Sequence, residues 1–81
     1  MIDMKKVEIL GTGCAKCKRV EKNAREAVSQ LGVEAKVTKV EDIGEIVNRG
    51  VMMTPALFID GIAKAVGRIP SVEEIKAMLQ E

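Results

Sequence analysis

Cys14 and Cys17 are the chain's two cysteines, and they stand three residues apart. The run Gly11-Thr12-Gly13 ends an apolar segment, and a helical periodicity begins at Cys14, so both sulfurs are expected at a strand-to-helix junction. The unpaired N–H groups at a helix N-terminus favour a thiolate there. Residues three apart on a helix lie roughly 5–6 Å from each other, a separation that a disulfide can bridge.

The two sulfurs are expected to differ in exposure. Cys14 directly follows the glycine turn and should be open to solvent, whereas Cys17 lies one turn further along the apolar stripe that includes Val20 and Ala24. One exposed thiolate beside one shielded thiol is the arrangement of an attacking and a resolving cysteine in thiol–disulfide exchange. Four cations near the start of the helix add positive potential: Lys16, Lys18, Arg19 and Lys22.

Other uses of a cysteine pair remain open at this point. Zinc requires four ligands, and the chain offers two sulfurs and no histidine. Cu(I), a soft metal that accepts two thiolates, could be held by Cys14 and Cys17 alone. The cysteines could also be two unrelated buried side chains.

Apolar periodicity predicts the elements that position the cysteines. Short or alternating apolar runs between turn residues predict strands, and three- and four-residue spacing predicts helices. In chain order the sequence predicts a strand at 4–10, a helix from Cys14 to Leu31, a strand at 34–40, a short helix after Asp42, strands at 56–59 and 62–66, and a helix capped by Ser71. The order is β-α-β-α-β-β-α.

This order predicts an α/β fold in one domain spanning residues 1–81. A helix joins the first two strands, so they should be parallel with a right-handed crossover. Asp60-Gly61 is a two-residue hairpin turn, so the last two strands should be antiparallel. The expected architecture is a four-stranded mixed sheet with helices on both faces.

Composition excludes several classes of function. Thirteen Lys and Arg against 12 Asp and Glu give a net charge of +1, which disfavours nucleic-acid binding, and the single aromatic, Phe58, gives no stacking platform. The absence of histidine removes Ser-His-Asp and Cys-His catalysis. No apolar run or leader pattern predicts a membrane segment or secretion. We expect a cytoplasmic monomer that binds neither nucleic acid nor membrane.

Three features together resemble the thioredoxin and glutaredoxin superfamily: Cys14-x-x-Cys17, Thr54-Pro55 before the third strand, and the β-α-β-α-β-β-α order. The runs GTGCAKC, KNAREAV and PALFIDG are similar to those of its very small redox-active disulfide proteins. The resemblance implies a minimal thioredoxin fold and a thiol–disulfide oxidoreductase. It also implies disulfide-containing protein substrates, a protein reductase as electron donor, and no cofactor besides the Cys14–Cys17 disulfide.

The resemblance also implies roles for individual residues. Cys14 matches the nucleophile and Cys17 the resolving cysteine. Pro55 matches a proline whose peptide bond is cis and which faces the cysteines. The candidate substrate-binding residues are Gly13, Met53, Thr54 and Pro55. Met52 and Met53 would form an adaptable apolar rim, with buried core methionines as the alternative.

Glu8 lies six residues before Cys14, where thioredoxins carry a buried carboxylate that moves the resolving cysteine's proton. In a central strand such a carboxylate should have a raised pKa and could act in proton transfer. The alternative is an ordinary glutamate at a solvated strand end.

A second resemblance supports the metal alternative. Gly-Thr-Gly-Cys-x-x-Cys is similar to the heavy-metal-associated domain of copper chaperones, which also has its cysteines at a strand-to-helix junction. Those domains run β-α-β-β-α-β and end on a strand, whereas this chain is predicted to end on a helix. The second half of the sequence therefore favours the thioredoxin-like fold.

Overall fold

Four strands form one mixed sheet in the computed structural model, which describes residues 5–12 and 15–80. The elements are β1 (Lys5–Leu10), α1 (Ala15–Leu31), β2 (Ala35–Val40), α2 (Ile43–Asn48), β3 (Ala56–Ile59), β4 (Ile62–Val66) and α3 (Val72–Leu79). The spatial order of the strands is β2-β1-β3-β4. The predicted α/β class, the element order and the mixed sheet are all confirmed.

Strand β1 occupies the centre of the sheet and ends at the candidate site. It runs parallel to β2, with Leu10 opposite Val40, and antiparallel to β3, with Leu10 opposite Ala56. The C-terminal ends of β1 and β2 therefore meet the start of β3 at one edge of the sheet. Because α1 follows β1 directly, its N-terminus lies at that same edge.

The larger core lies between the sheet and helices α1 and α3. Alternate side chains of β1 point to opposite faces, and Val7 and Ile9 point to this one. Helix α1 buries a stripe at three- and four-residue spacing, as predicted. The buried members of this core are Val7, Ile9, Val20, Ala24, Ala27, Leu57, Ile59, Ala65, Ile75 and Leu79.

The opposite face has a smaller core under α2, a helix of only six residues. Asp42 caps this helix, and its carboxylate accepts a hydrogen bond of 3.1 Å from the backbone N–H of Glu45. The buried residues on this face are Leu10, Ile46, Val51, Ala56 and Phe58. Because α2 is so short, it does not cover the end of this face near Lys6, where an open groove lies beside Glu8 and Phe58.

The hairpin between β3 and β4 turns at Asp60-Gly61, as predicted. Both residues have positive φ, 53° and 82°, which a two-residue hairpin turn of this type requires and which glycine adopts readily. The Asp60 carboxylate accepts a hydrogen bond of 2.9 Å from the Lys6 backbone N–H, and this bond holds the pKa of Asp60 below its ordinary value. The turn is thereby tied to the start of β1.

Most predicted boundaries agree with the structure to within one residue. Met4 and Cys14, the predicted starts of the first strand and the first helix, lie outside the described residues. An irregularity in register between Leu57 and Phe58 was not predicted. None of the helices within the described residues has the length and apolar character needed to cross a membrane.

Candidate active site

Cys17 lies in the first turns of α1 and is buried, with 4% of its surface exposed. It lies on the same stripe as Val20, which fixes the helix against the sheet. The expected shielding of Cys17 is therefore confirmed. Cys14 and Gly13 lie outside the described residues, so their predicted exposure and roles stay predictions.

Gly11 forms the surface on which the Cys17 sulfur rests. A Cβ placed on Gly11 would overlap Cys17 Sγ and would come 3.2 Å from Cys17 Cβ. Gly11 is itself buried, and its N–H donates a hydrogen bond of 3.0 Å to the Val40 carbonyl. The residue is therefore fixed at the end of β1 and has no room for a side chain. The glycine turn was recognised in the sequence, but this contact with Cys17 was not.

The Thr54–Pro55 peptide bond is cis, as predicted. Pro55 is fully buried, and its carbonyl accepts a hydrogen bond of 2.8 Å from the Gly67 N–H. Thr54 is exposed, and its Cβ would lie 3.9 Å from a Cβ on Gly11. Gly11 therefore has the Cys17 sulfur and Thr54 as neighbours, which places the cis bond beside the resolving-cysteine candidate.

The two methionines before Thr54 are exposed, Met52 by 96% and Met53 by 61%. The alternative that they are core residues is wrong. Met53 lies against Gly67, where an added Cβ would come 3.0 Å from the Met53 Cε methyl. Met52 lines an apolar depression of about 510 Å³ together with Val47, Gly50 and Val51. Both methionines are therefore exposed near Thr54, and their role as a rim for substrates stays a prediction.

Glu8 differs from the expectation. It lies on the α2 face of β1, where Arg49 donates two hydrogen bonds of 2.8 Å to its carboxylate oxygens. Those hydrogen bonds are the main reason that the pKa of Glu8 is lowered, and the predicted rise is wrong. Because α2 is short, Arg49 at its end lies over the Glu8 carboxylate. The positive charge of Arg49 favours the ionised form of Glu8, although Glu8 is partly buried.

Arg49 is a residue that the sequence analysis missed. It is the C-cap of α2, and it also donates a hydrogen bond of 3.1 Å from Nε to Glu45. Its guanidinium lies 5.6 Å from the centre of the Phe58 ring, and its two carboxylate partners raise its pKa. The sequence contained one indication of this position, because Arg49 stands directly before Gly50, the residue expected to end the short helix.

Known proteins provide an independent comparison. The family described as thioredoxin domain matches residues 5–80. A protein named thioredoxin from Methanothermobacter thermautotrophicus is 47% identical over 76 residues, which cover 94% of this chain and 99% of the relative. Another thioredoxin, from Methanocaldococcus jannaschii, is 43% identical over 74 residues, covering 91% of this chain and 85% of the relative.

These similarities extend over nearly the whole chain and agree with the element order and with the cis peptide bond beside Cys17. The observed order β-α-β-α-β-β-α differs from the β-α-β-β-α-β order of the heavy-metal-associated domain, and the comparisons give no support to the copper-binding alternative. The chain belongs to the thioredoxin family, whose members are thiol–disulfide oxidoreductases.

Proposed function

We propose that this chain reduces or exchanges disulfides in other proteins by means of a Cys14–Cys17 dithiol/disulfide couple. The observation that carries the proposal is the position of Cys17, whose buried sulfur lies on Gly11 beside the exposed Thr54 and the cis bond to Pro55. Cys14 precedes the first described residue of α1, so the helix N-terminus favours its thiolate form.

The reaction has two exchange steps. The Cys14 thiolate attacks one sulfur of the substrate disulfide, a mixed disulfide forms, and the other substrate sulfur leaves as a thiolate. Cys17 then loses its proton and attacks Cys14 Sγ, which releases the first substrate sulfur. The substrate gains two electrons and two protons, and the chain is left with a Cys14–Cys17 disulfide.

Substrate binding is proposed for the rim around this pair. An extended segment of the substrate would form backbone hydrogen bonds with Thr54, in the manner of an added strand. Gly13, next to Cys14 in the sequence, has no side chain to obstruct a substrate, and Met53 offers a flexible apolar contact that is 61% exposed. Pro55 holds this loop in place from its buried position.

The remaining parts of the proposal follow from this chemistry. The disulfide is the redox group, so no separate cofactor is required. Turnover needs a reductant, which we propose is a second protein that carries its own dithiol. We further propose that the chain acts as a cytoplasmic monomer.

Single-cysteine variants test the proposal. With Cys17→Ser, Cys14 should still attack and then stall, so mixed disulfides with a substrate such as insulin should accumulate on non-reducing gels. With Cys14→Ser, trapping and reductase activity should both be lost. Equal trapping by the two variants, or faster alkylation of Cys17 than of Cys14, would show that the roles are assigned wrongly.

The same protein tests the redox proposal against metal binding. The metal-free chain should be folded by circular dichroism and should reduce insulin catalytically in the presence of dithiothreitol. Binding of Cu(I) would not contradict this result, because any dithiol binds it. A metal-free chain that is unfolded, or that is inert towards every disulfide tested while binding Cu(I) tightly, would overturn the proposal.

A further inference from the structure

The outward face of α1 near the cysteines carries four cations, which we call the α1 cationic face: Lys16, Lys18, Arg19 and Lys22. All four are exposed, and none takes part in an ion pair or side-chain hydrogen bond within residues 5–12 and 15–80. Several other cations are paired: Arg25 and Lys39 with Glu21, Arg49 with Glu8, and Arg68 with Glu74. Four cations without such a pair among the described residues stand within about two helical turns, so positive charge is concentrated on this face.

The arrangement is unfavourable for the helix itself. The first turn of α1 has no acidic residue, although the positive end of the helix dipole favours acids there, and it has Lys16 instead. Lys18 and Lys22 stand four residues apart, a spacing at which like charges destabilise a helix by about 0.2–0.5 kcal/mol. Charges that oppose local stability are expected where function requires them.

The location of the face indicates its use. It begins inside the Cys14-x-x-Cys17 motif and continues over the next turn. Lys18 and Lys22 lie on the side of α1 opposite the buried Val20 and Ala24, and Lys16 and Arg19 lie between that side and the buried stripe. A protein whose disulfide reaches Cys14 must bring its surrounding surface close to these side chains. We propose that the α1 cationic face binds acidic side chains beside the disulfide of a protein substrate, an inference that rests on the proposed function.

An acidic protein surface fits this face better than a nucleic acid or a membrane. Four cations are fewer than the 6–10 phosphate contacts of a typical DNA-binding surface, and the net charge is only +1. The single aromatic, Phe58, is buried on the sheet and offers no base stacking. Complementary charges chiefly raise the rate at which two proteins meet, and salt screens this effect.

The test uses the full chain and three disulfide substrates. Two are peptides with the same disulfide, one flanked by glutamates and one by glutamines, and the third is the uncharged bis(2-hydroxyethyl) disulfide. The variant Lys18→Gln/Lys22→Gln removes two charges from the face and leaves the cysteine motif intact. The control Lys6→Gln/Lys36→Gln removes two exposed charges from the opposite end of β1 and β2, which are paired in register there.

The wild-type chain should reduce the glutamate-flanked peptide about tenfold faster than the glutamine-flanked one at 20 mM salt, since steering raises association rates by 10-fold or more. This preference should disappear at 0.5 M salt and in Lys18→Gln/Lys22→Gln, and it should persist in the control variant. The rate on bis(2-hydroxyethyl) disulfide, which is uncharged, measures the reactivity of Cys14 in each of the three proteins, and the two peptide rates are compared after division by it.

Equal rates on the two peptides would overturn the inference while leaving the proposed function intact. So would a preference that the control variant loses to the same extent. Salt-sensitive binding of an oligonucleotide or of phosphatidylglycerol vesicles without any peptide preference would assign the face to those partners and also overturn it. Failure of the wild-type chain on all three disulfides would instead contradict the proposed function.

Discussion

Helices α1 and α3 pack on the same face of the sheet, but their N-termini are built in opposite ways. At α3, the Ser71 hydroxyl accepts a hydrogen bond of 3.1 Å from the Glu74 N–H, and the Glu74 carboxylate accepts one of 3.1 Å from the Ser71 N–H. The first turn there is acidic and the last has Lys76. At α1 the first turn has no acid and the last turn has no base.

This difference separates stability from function. Every charge at the N-terminus of α3 agrees with the helix dipole and with the unpaired N–H groups, so that end stabilises the fold. The first turns of α1 have cations and Cys17 instead, a composition that suits a charged partner but not the helix. We expect substitutions at α3 to change stability alone, and substitutions around α1 to change thiol chemistry and binding.

The largest expected effect concerns Gly11, beneath the first turns of α1. Gly11→Ala places a methyl group where the Cys17 sulfur lies, so Cys17 and the start of α1 must shift. Overpacking of this kind costs about 1–3 kcal/mol. Urea unfolding should show that loss, and mixed disulfides formed by Cys14 should resolve more slowly in stopped-flow measurements.

A double-mutant cycle distinguishes this contact from a general backbone effect. In a Cys17→Ala background the sulfur is absent, so Gly11→Ala should cost much less there than in the wild-type chain. Thr12→Ala, at the exposed neighbouring position, serves as the control and should leave both stability and resolution nearly unchanged. If Gly11→Ala lowered stability equally in the two backgrounds, the absence of a side chain at Gly11 would not serve to make room for the Cys17 sulfur.

The next effect extends the comparison to α2, whose charges follow the same rules as those of α3. Arg49→Leu should lower the free energy of unfolding by about 1–2 kcal/mol at pH 7, because Glu8 loses a charged hydrogen-bond partner in a half-buried position. The folded pKa of Glu8 lies below its unfolded value. The pair therefore stabilises fully above that unfolded value, and this stabilisation is lost as pH falls through the folded pKa.

Urea unfolding of the wild type and Arg49→Leu between pH 3 and 8 measures this dependence. The difference in stability should be constant above about pH 5.5 and should shrink below about pH 4.5, the ordinary range for a glutamate. Glu45→Gln removes only the exposed partner of Arg49 and should have a much smaller effect. If the difference in stability did not change with pH, the loss in Arg49→Leu would come from the contact of Arg49 with Phe58 rather than from its ion pair with Glu8.

At α3 itself, Ser71→Ala removes the side-chain half of the capping box. The expected loss of stability is about 1 kcal/mol, as for other N-caps. Reduction of all disulfide substrates should proceed at the wild-type rate below the unfolding transition. Ser29→Ala makes the same change at an exposed position of α1 away from a helix N-terminus, and it serves as the control. A change in the rate of disulfide reduction by Ser71→Ala would contradict the separation of the two helix N-termini.

The sequence predicted the fold well because its local signals agree with each other. The stripe on α1, the Ser71 cap and the Asp60-Gly61 turn are each determined by neighbouring residues and needed no knowledge of distant contacts. The cis bond at Thr54–Pro55 followed from a family resemblance. The register irregularity between Leu57 and Phe58 gave no comparable local signal.

The candidate site was less predictable wherever it depends on residues far apart in the chain. The sequence suggested that Glu8 is either a buried carboxylate with a raised pKa or an ordinary glutamate at a solvated strand end. Instead, Arg49, which stands 41 positions later, donates hydrogen bonds to this carboxylate and lowers its pKa. The contact between Gly11 and Cys17 likewise arises from how closely α1 approaches the end of β1. Such distances depend on packing, which residue spacing alone does not determine.

The smallest expected effect is a gain in stability. Lys18→Glu would place an acid near the N-terminus of α1, where the dipole favours it by about 0.3–1 kcal/mol at low salt, and would replace a repulsion with Lys22 by an attraction. The free energy of unfolding should therefore rise by about 0.5 kcal/mol, while reduction of a glutamate-flanked disulfide slows. Lys36→Glu, on β2 and away from any helix end, should leave that rate unchanged. It also replaces a repulsion with Lys6, its neighbour in register on β1, so its gain in stability measures charge pairing without the helix dipole. Thermal unfolding at 20 mM and 0.5 M salt measures both variants, and the gain should shrink at the higher salt because the charges are exposed. If Lys18→Glu were instead destabilising, the cations of α1 would be part of what holds the helix in place, and its contrast with α3 would be lost.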